Sequence, residues 1–180
     1  VAEGKWLVKG MLANMNASRK TSGNNTPVLT YRVDYARGEY IGFGFAGVHG
    51  KAANFADPDG RDSRVDLFEF DAYFIRGDVT VQGQVSFGQQ KKASITPDPV
   101  TGALRDARWW GLSALAAYKF DPRLEGIVRL DYLANKKNGG GLLGYTFADD
   151  RNGIGPDPAG DPNKGANRTA LSIGLSYAFN

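Results

Sequence analysis

The chain carries one histidine, His49, followed by three closely spaced aspartates, Asp57, Asp59 and Asp62. Imidazole and carboxylate together are the material of general acid–base catalysis, and with a serine they would make a hydrolase triad. Yet His49 sits where an apolar segment gives way to a long polar stretch, and a lone histidine there is far more often incidental than catalytic. No enzymatic activity is expected. The run Asp57-Pro58-Asp59-Gly60-Arg61-Asp62 resembles half of a calcium loop, with carboxylates spaced around a glycine. It lacks the later bidentate glutamate, and Pro58 and Arg61 are off-pattern, so Asp57, Asp59 and Asp62 make only a weak calcium candidate beside the reading as an ordinary solvated loop. Arg76-Gly77-Asp78 spells an integrin-binding tripeptide but falls in a tight turn, and no function is assigned to it. The chain has no cysteine, which excludes disulfides and thiolate metal sites, and no cofactor is implied.

The remaining chemistry lies in charges set two residues apart. Lys5, Lys9, Arg32, Lys119 and Arg129, with Asp34, Glu69, Asp71, Glu125 and Asp131, all fall on one side of segments whose other side is apolar. Such charges either pair into a structural network or line water and set ion or solute selectivity. Which of the two depends on the elements that hold them.

Those elements alternate with a period of two, the signature of strands. In Leu29-Thr30-Tyr31-Arg32-Val33-Asp34-Tyr35 the residues Leu29, Tyr31, Val33 and Tyr35 share one face, and Thr30, Arg32 and Asp34 share the other. A helix would scatter both sets. Seven more segments repeat the pattern, led by Trp6, Val8 and Leu12; Ile41, Phe43 and Phe45; Phe68, Phe70 and Phe74; and Val79, Val81, Val85 and Phe87. Trp110, Leu112, Tyr118 and Phe120, then Val128, Leu130 and Tyr132, then Leu171, Ile173, Leu175, Tyr177 and Phe179 complete the set. A soluble sandwich also alternates, but its strands usually run about five or six residues, against about nine to eleven for strands that span a membrane. The aromatic residues also favour segment ends, as two interfacial girdles require.

Connections carry the strongest signal. Short turns at Arg37-Gly38-Glu39, Arg76-Gly77 and Asp121-Pro122-Arg123 alternate with long stretches near 15–26, 50–64, 89–107 and 136–168. Short periplasmic turns and long extracellular loops are the layout of an outer-membrane barrel. The Gly-, Pro-, Asn- and Asp-rich stretch from Gly139 to Asn167 predicts a long extracellular excursion with room to fold inward. The expected fold is therefore all-β: an antiparallel up-and-down transmembrane β-barrel, with residues 1–180 forming a single segment of eight strands. Pairing Tyr35 with Ile41, Phe74 with Val79 and Phe120 with Leu124 keeps the apolar residues on one face through each turn.

Composition agrees by exclusion. At 180 residues and 42% hydrophobic, the chain has ordinary bulk for one domain, so nothing but the pattern points to a membrane. No apolar run approaches the roughly 18 residues a spanning helix needs. The net charge of +3 comes from scattered basic residues, which argues against nucleic acid as a partner. The chain starts on what reads as a strand, without a signal peptide, which suits a mature protein or an internal fragment.

The runs Arg108-Trp109-Trp110-Gly111-Leu112-Ser113, Arg129-Leu130-Asp131-Tyr132 and Lys136-Lys137-Asn138-Gly139-Gly140-Gly141-Leu142-Leu143 resemble the barrel portion of an uncharacterised proteobacterial family of outer-membrane porin-like proteins. The resemblance covers most of the chain and implies a bacterial outer-membrane location but no substrate. Members of that family are longer and close on a terminal aromatic residue. Here Asn180 follows Phe179, so the resemblance implies a part of a larger barrel.

Two functions follow as expectations. The first is a porin-like channel for passive diffusion of ions or small polar solutes, with Lys9, Arg32, Asp34, Glu69, Asp71, Lys119, Glu125, Arg129 and Asp131 lining the lumen. The alternative is a structural or adhesive barrel with a filled lumen and functional extracellular loops. An eight-stranded lumen must be packed by its own side chains. The small inward runs Gly42, Gly44, Ala46 and Ser172, Gly174, Ser176, Ala178 favour a wider barrel. The expected partners are the lipid bilayer, lipopolysaccharide and small polar solutes or ions.

Overall fold

The protein is described by a computed structural model over residues 4–14, 27–54, 56–59, 61–94, 97–135 and 167–179. Eight strands follow one another: β1 (Lys5–Ala13), β2 (Val28–Arg37), β3 (Ile41–Ala53), β4 (Asp62–Arg76), β5 (Val79–Gln90), β6 (Ala107–Lys119), β7 (Leu124–Ala134) and β8 (Arg168–Tyr177). All are antiparallel and lie in one sheet in sequence order. No helix among the described residues is long and apolar enough to cross a membrane, which has no bearing on crossing by strands. The sheet is open: β1 pairs with β2 and β8 with β7, and the two edges do not pair with each other. Strands of 9 to 15 residues are long by the standard of soluble sheets.

Two of the three short connections differ by one position from the sequence expectation. Arg37 pairs with Ile41, so the first turn is Gly38-Glu39-Tyr40, with Gly38 at φ +63°. Arg76 pairs with Val79, so the two-residue turn is Gly77-Asp78, and Gly77 supplies the positive φ of +58° that a primed turn requires. Tyr35 accordingly pairs with Phe43 rather than Ile41, and Phe74 with Val81 rather than Val79. Both corrections move the register by two residues, which leaves every side chain on its expected face. The third turn matches: the Phe120 amide donates to the Leu124 carbonyl at 2.9 Å, and Asp121 accepts the Arg123 and Leu124 amides at 2.7 and 3.0 Å. On the opposite side, β3 and β4 run further than the alternation suggested, narrowing the connection expected at 50–64 to residues 54–61. The stretches 15–26 and 136–166 lie outside the described residues.

The two sides of the sheet are sheltered in the reverse of the usual sense. On the apolar side Phe43, Phe70, Phe87 and Leu112 are 39%, 45%, 54% and 39% exposed. Rings do stack along this side, as in Phe43–Phe70 and Phe45–Phe68 with centroids 6.3 Å apart, but among the described residues nothing covers them. Buried residues sit instead on the polar side, where Val28, Ala52, Val65, Ala107 and Trp109 are at most 8% exposed. A sheet sheltered on its polar side is curved toward that side.

The end aromatics trace an oblique line. Trp6, Tyr35 and Phe43 share a register row that continues through Ala72, Gly83, Ala114, Leu130 and Leu171. At the far edge the last aromatic of β8 on this side is Tyr177, about six residues beyond Leu171. With roughly 3.4 Å per residue and 4.8 Å per strand, that drift over the sheet is a slope of about 30°. The aromatic belt is thus inclined to the strand-to-strand rows.

At the long-loop end the polar side closes over a small apolar cluster. Ala93, Ala107 and Trp109 form it, with Leu67 and Leu133 packed against it. Trp109 lies across Gly88, where any Cβ would collide with the indole. Ala93, just past β5, packs into this cluster, and the Ser94 amide donates to the Arg105 carbonyl at 3.0 Å.

Candidate functional site

The charged residues of the polar side gather around Arg32. On β2, Arg32 and Asp34 stand two residues apart and so project to the same side, and Nε of Arg32 donates to Asp34 Oδ1 at 2.7 Å. Across β3, Arg32 is in the row of Ala46 and Glu69, and Asp34 is in the row of Gly44 and Asp71. Two strands are spanned at once, close to 10 Å between backbones. That reach is open only because β3 presents small residues: a Cβ at Gly44 would collide with the Arg32 guanidinium. Over this gap Nη2 donates to Asp71 Oδ1 at 3.0 Å and lies 2.8 Å from Oδ2, and Nη1 is 3.5 Å from Glu69 Oε1. Lys9 adds a looser contact to Asp34 at 3.8 Å. The stripe of small residues that left an apparent gap in the sequence is therefore the floor over which Arg32 reaches.

A second pair repeats the local part of this motif. Arg129 Nε lies 2.8 Å from Asp131 Oδ2, again two residues apart on one strand, and Ser113 hydrogen-bonds to Asp131. Asp34, Asp71 and Asp131 share one register row with Gln84 and Ser113 between them. An acidic row thus crosses the sheet, with Arg32 on one flank and Arg129 on the other. Between the two arginines opens a cavity of about 410 Å³, lined among others by Glu69, Asp71, Tyr73, Gln82, Gln84 and Ser113. The charges keep part of their water: Arg32 and Glu69 are 34% exposed, and Asp34 and Asp71 about a quarter. A concave surface of mixed charge, amide and hydroxyl groups can hold water, ions and small polar solutes.

The other expected residues fall around this centre. Lys119 faces Glu125 in register near the short-turn end, and Lys5 lies opposite Ala36 on the edge strand β1. Asp57 and Asp59 turn to Arg61, at 3.2 and 2.9 Å, while Asp62 begins β4. Among the described residues no three His, Asp or Glu side chains gather to hold a metal ion. His49 is on the apolar side, with Nδ1 2.9 Å from Asp66 Oδ1 and its ring stacked on Tyr31. In the segment 91–106, amides of Val100 and Thr101 and the Thr101 hydroxyl hold the Asp98 carboxyl below its ordinary range. Asp106 is lowered too: its sheltering works the other way, but the Lys91 ammonium and the Lys92 amide outweigh it.

Most of the cavity wall is uncharged and was not among the expected site residues. Gln82, Gln84, Ser113 and Tyr73 line it as fully as the ionised groups do. Their signal was present in the alternation, which sets Gln82, Gln84 and Ser113 on the polar side. Trp109 was missed for the opposite reason, since an indole on a polar face has no place in a simple two-sided pattern.

A family model described as Protein of unknown function (DUF3138) matches residues 8–177. No curated protein matches the chain. No solved structure matches it either.

Proposed function

The chain belongs to the DUF3138 family of unknown function, and from its geometry we propose that it is a section of a transmembrane β-barrel of the bacterial outer membrane, a porin-like channel for passive diffusion of ions or small polar solutes. One observation carries the proposal. The aromatic and aliphatic side stands open while the charged side is sheltered. In water an exposed apolar face this wide is rare, because each Å² left uncovered forgoes about 25 cal/mol. Against lipid tails it carries no such penalty, and the polar side then faces a protected interior. The inclined aromatic belt supports the same reading, since barrel strands are tilted by roughly 35–45° to the membrane normal.

The free edges of β1 and β8 favour a barrel wider than these eight strands. Each edge lacks a partner strand among the described residues, and each unpaired backbone N–H or C=O group costs several kcal/mol in hydrocarbon. Further strands meeting both edges would satisfy them and widen the lumen beyond what side chains can fill. The engagement of Arg32 by three carboxylates favours the second reading, a barrel with a filled interior that serves structure or adhesion.

Planar-bilayer recording on the full-length protein separates the two. A pore gives stepwise conductance that scales with bulk electrolyte, and a silent, correctly inserted protein points to the filled barrel. The face assignment has its own test in adjacent residues of β5. Val81→Arg should cost about 2–4 kcal/mol of folding stability in lipid and Gln82→Arg far less. Equal costs would overturn the assignment of the apolar side to lipid.

A further inference from the structure

The apolar side changes character over two register rows at the long-loop end. Phe68, Phe87 and Trp110 lie in one row and are 40%, 54% and 40% exposed. The next row on the same side holds His49, Asp66, Gln89 and Arg108. Beyond it Lys51 pairs with Arg64, and the Lys91 amide donates to the Arg64 carbonyl at 2.9 Å. Hydrocarbon thus gives way to a cationic rim within about 14 Å of strand.

The rim is not self-neutralised. Asp66 is held by His49 and Arg64, both at 2.9 Å, and Asp106 by Lys91 at 2.6 Å. Asp106 is also attracted by Arg108, and the four cations Lys51, Arg64, Lys91 and Arg108 outnumber the carboxylates Asp62, Asp66 and Asp106 by one. Arg64 is 70% exposed even while it contacts Asp66, so part of its guanidinium faces outward. A groove of about 900 Å³ joins the aromatic row to the rim, with Arg64, Arg108, Phe68, Phe87 and Trp110 in its wall beside Asp66, which Arg64 and His49 hold.

We infer that this groove binds a phosphorylated, acylated lipid of the surrounding leaflet. Its phosphate lies between Arg64 and Arg108, and an acyl chain runs over Phe68, Phe87 and Trp110. Arg64 and Arg108 are two strands apart and offset by two residues along the strands, roughly 12 Å at the backbone, a gap that two guanidinium groups can close on a single phosphate. A soluble anion would use the cations but not the rings. A zwitterionic lipid would use the rings but bring its own cation to a rim that already has an excess. An anionic lipid uses both. The inference rests on the barrel reading, because only in a membrane does this side meet lipid.

The test uses the full-length protein folded in mild detergent, with diphosphorylated lipid A as the probe and native mass spectrometry as the readout. Wild type should retain lipid A in preference to phosphatidylcholine, and the double variant Arg64→Gln/Arg108→Gln should weaken retention about tenfold, the scale of one lost charge-assisted contact. Trp110→Ala should weaken it as well, while heat-modifiable gel migration shows that each variant still folds. Raising ionic strength should weaken wild-type retention, a check that needs no variant. Equal retention by wild type and double variant overturns the proposal. So does competition by millimolar inorganic phosphate, which would mean a free-anion site, or a change in oligomeric state without a change in lipid retention, which would mean a protein interface. Failure of the wild-type protein to insert into vesicles would remove the barrel reading and this site with it. Insertion without preference for lipid A removes this site alone.

Discussion

The polar side of the sheet is built in two ways. Midway along the strands it is charged and wet: Arg32, Glu69 and Asp71 border a cavity, and with Asp34 they are a quarter to a third exposed. At the long-loop end it is dry: Val65, Ala107 and Gln90 are fully buried. The polar groups that remain there are neutral and hydrogen-bond mostly to backbone. Gln90 Nε2 donates to the carbonyls of Ala52 and Ala53 at 3.3 and 3.2 Å, and Asn54 Nδ2 to that of Lys92 at 2.7 Å. The difference is one of water. Dehydrating an ion costs several kcal/mol, so charges persist only where the interior stays open. Where a loop excludes water, the same face must turn apolar or amide-rich.

The largest effect expected from this contrast is at Trp109. It is 8% exposed and roofs the dry region, so Trp109→Ala should cost about 3 kcal/mol or more, in the range for a large buried ring. Urea unfolding in lipid vesicles measures it. If the loss is well under 1 kcal/mol, the long-loop end is not a packed core and the contrast collapses.

A smaller effect is expected at Arg32. Its removal leaves Asp34, Glu69 and Asp71 without their shared counter-charge, but all of them keep water to fall back on. Arg32→Ala should therefore cost about 1–2 kcal/mol, between a surface pair and a buried one. Arg129→Ala, with one partner and a more exposed pair, should cost less than Arg32→Ala. In bilayers the Arg32 variant should also shift the reversal potential toward cations, because uncompensated carboxylates then border the path. An unchanged potential would place the ion path elsewhere in the barrel.

Much of this architecture was legible in the sequence, and the rest was not for definite reasons. Alternation located all eight strands and their two sides, because a period of two is imposed by the backbone itself. It constrains register only up to steps of two, which is why Tyr35 and Phe74 were matched two residues short while no side chain changed face. The ionised residues of the site were legible as a set, but their pairing was not. That Arg32 should cross to Asp71 depends on Gly44 lying between them, a fact about neighbouring strands that no single segment contains. Trp109 was opaque because its burial comes from packing with Ala93 and Ala107, and Gln90 because its amide reaches carbonyls of another strand.

The smallest effect tests what holds the segment 91–106 in place. Asp106 ties it from outside, with Oδ2 2.6 Å from Lys91 Nζ and Oδ1 accepting the Lys92 amide at 3.0 Å. Its carboxyl is held below the ordinary range, so folding favours the charged form. The stabilisation is thus complete above the unfolded value near 3.9 and is lost as pH falls through the lower folded value. Both partners are partly exposed, at 28% and 47%, which limits the contribution to less than about 1 kcal/mol. Hydrogen exchange at the Ser94 amide, corrected for the intrinsic pH dependence, reads the segment directly. Protection should fall a few-fold in acid in the wild type. In Asp106→Asn it should start lower at neutral pH and vary little with acid. The amides of β6 next to Trp109 should stay protected in both, because apolar packing does not titrate. Full protection of Ser94 in acid would mean that the dry contacts of the segment hold it alone, and that the charged tie contributes nothing.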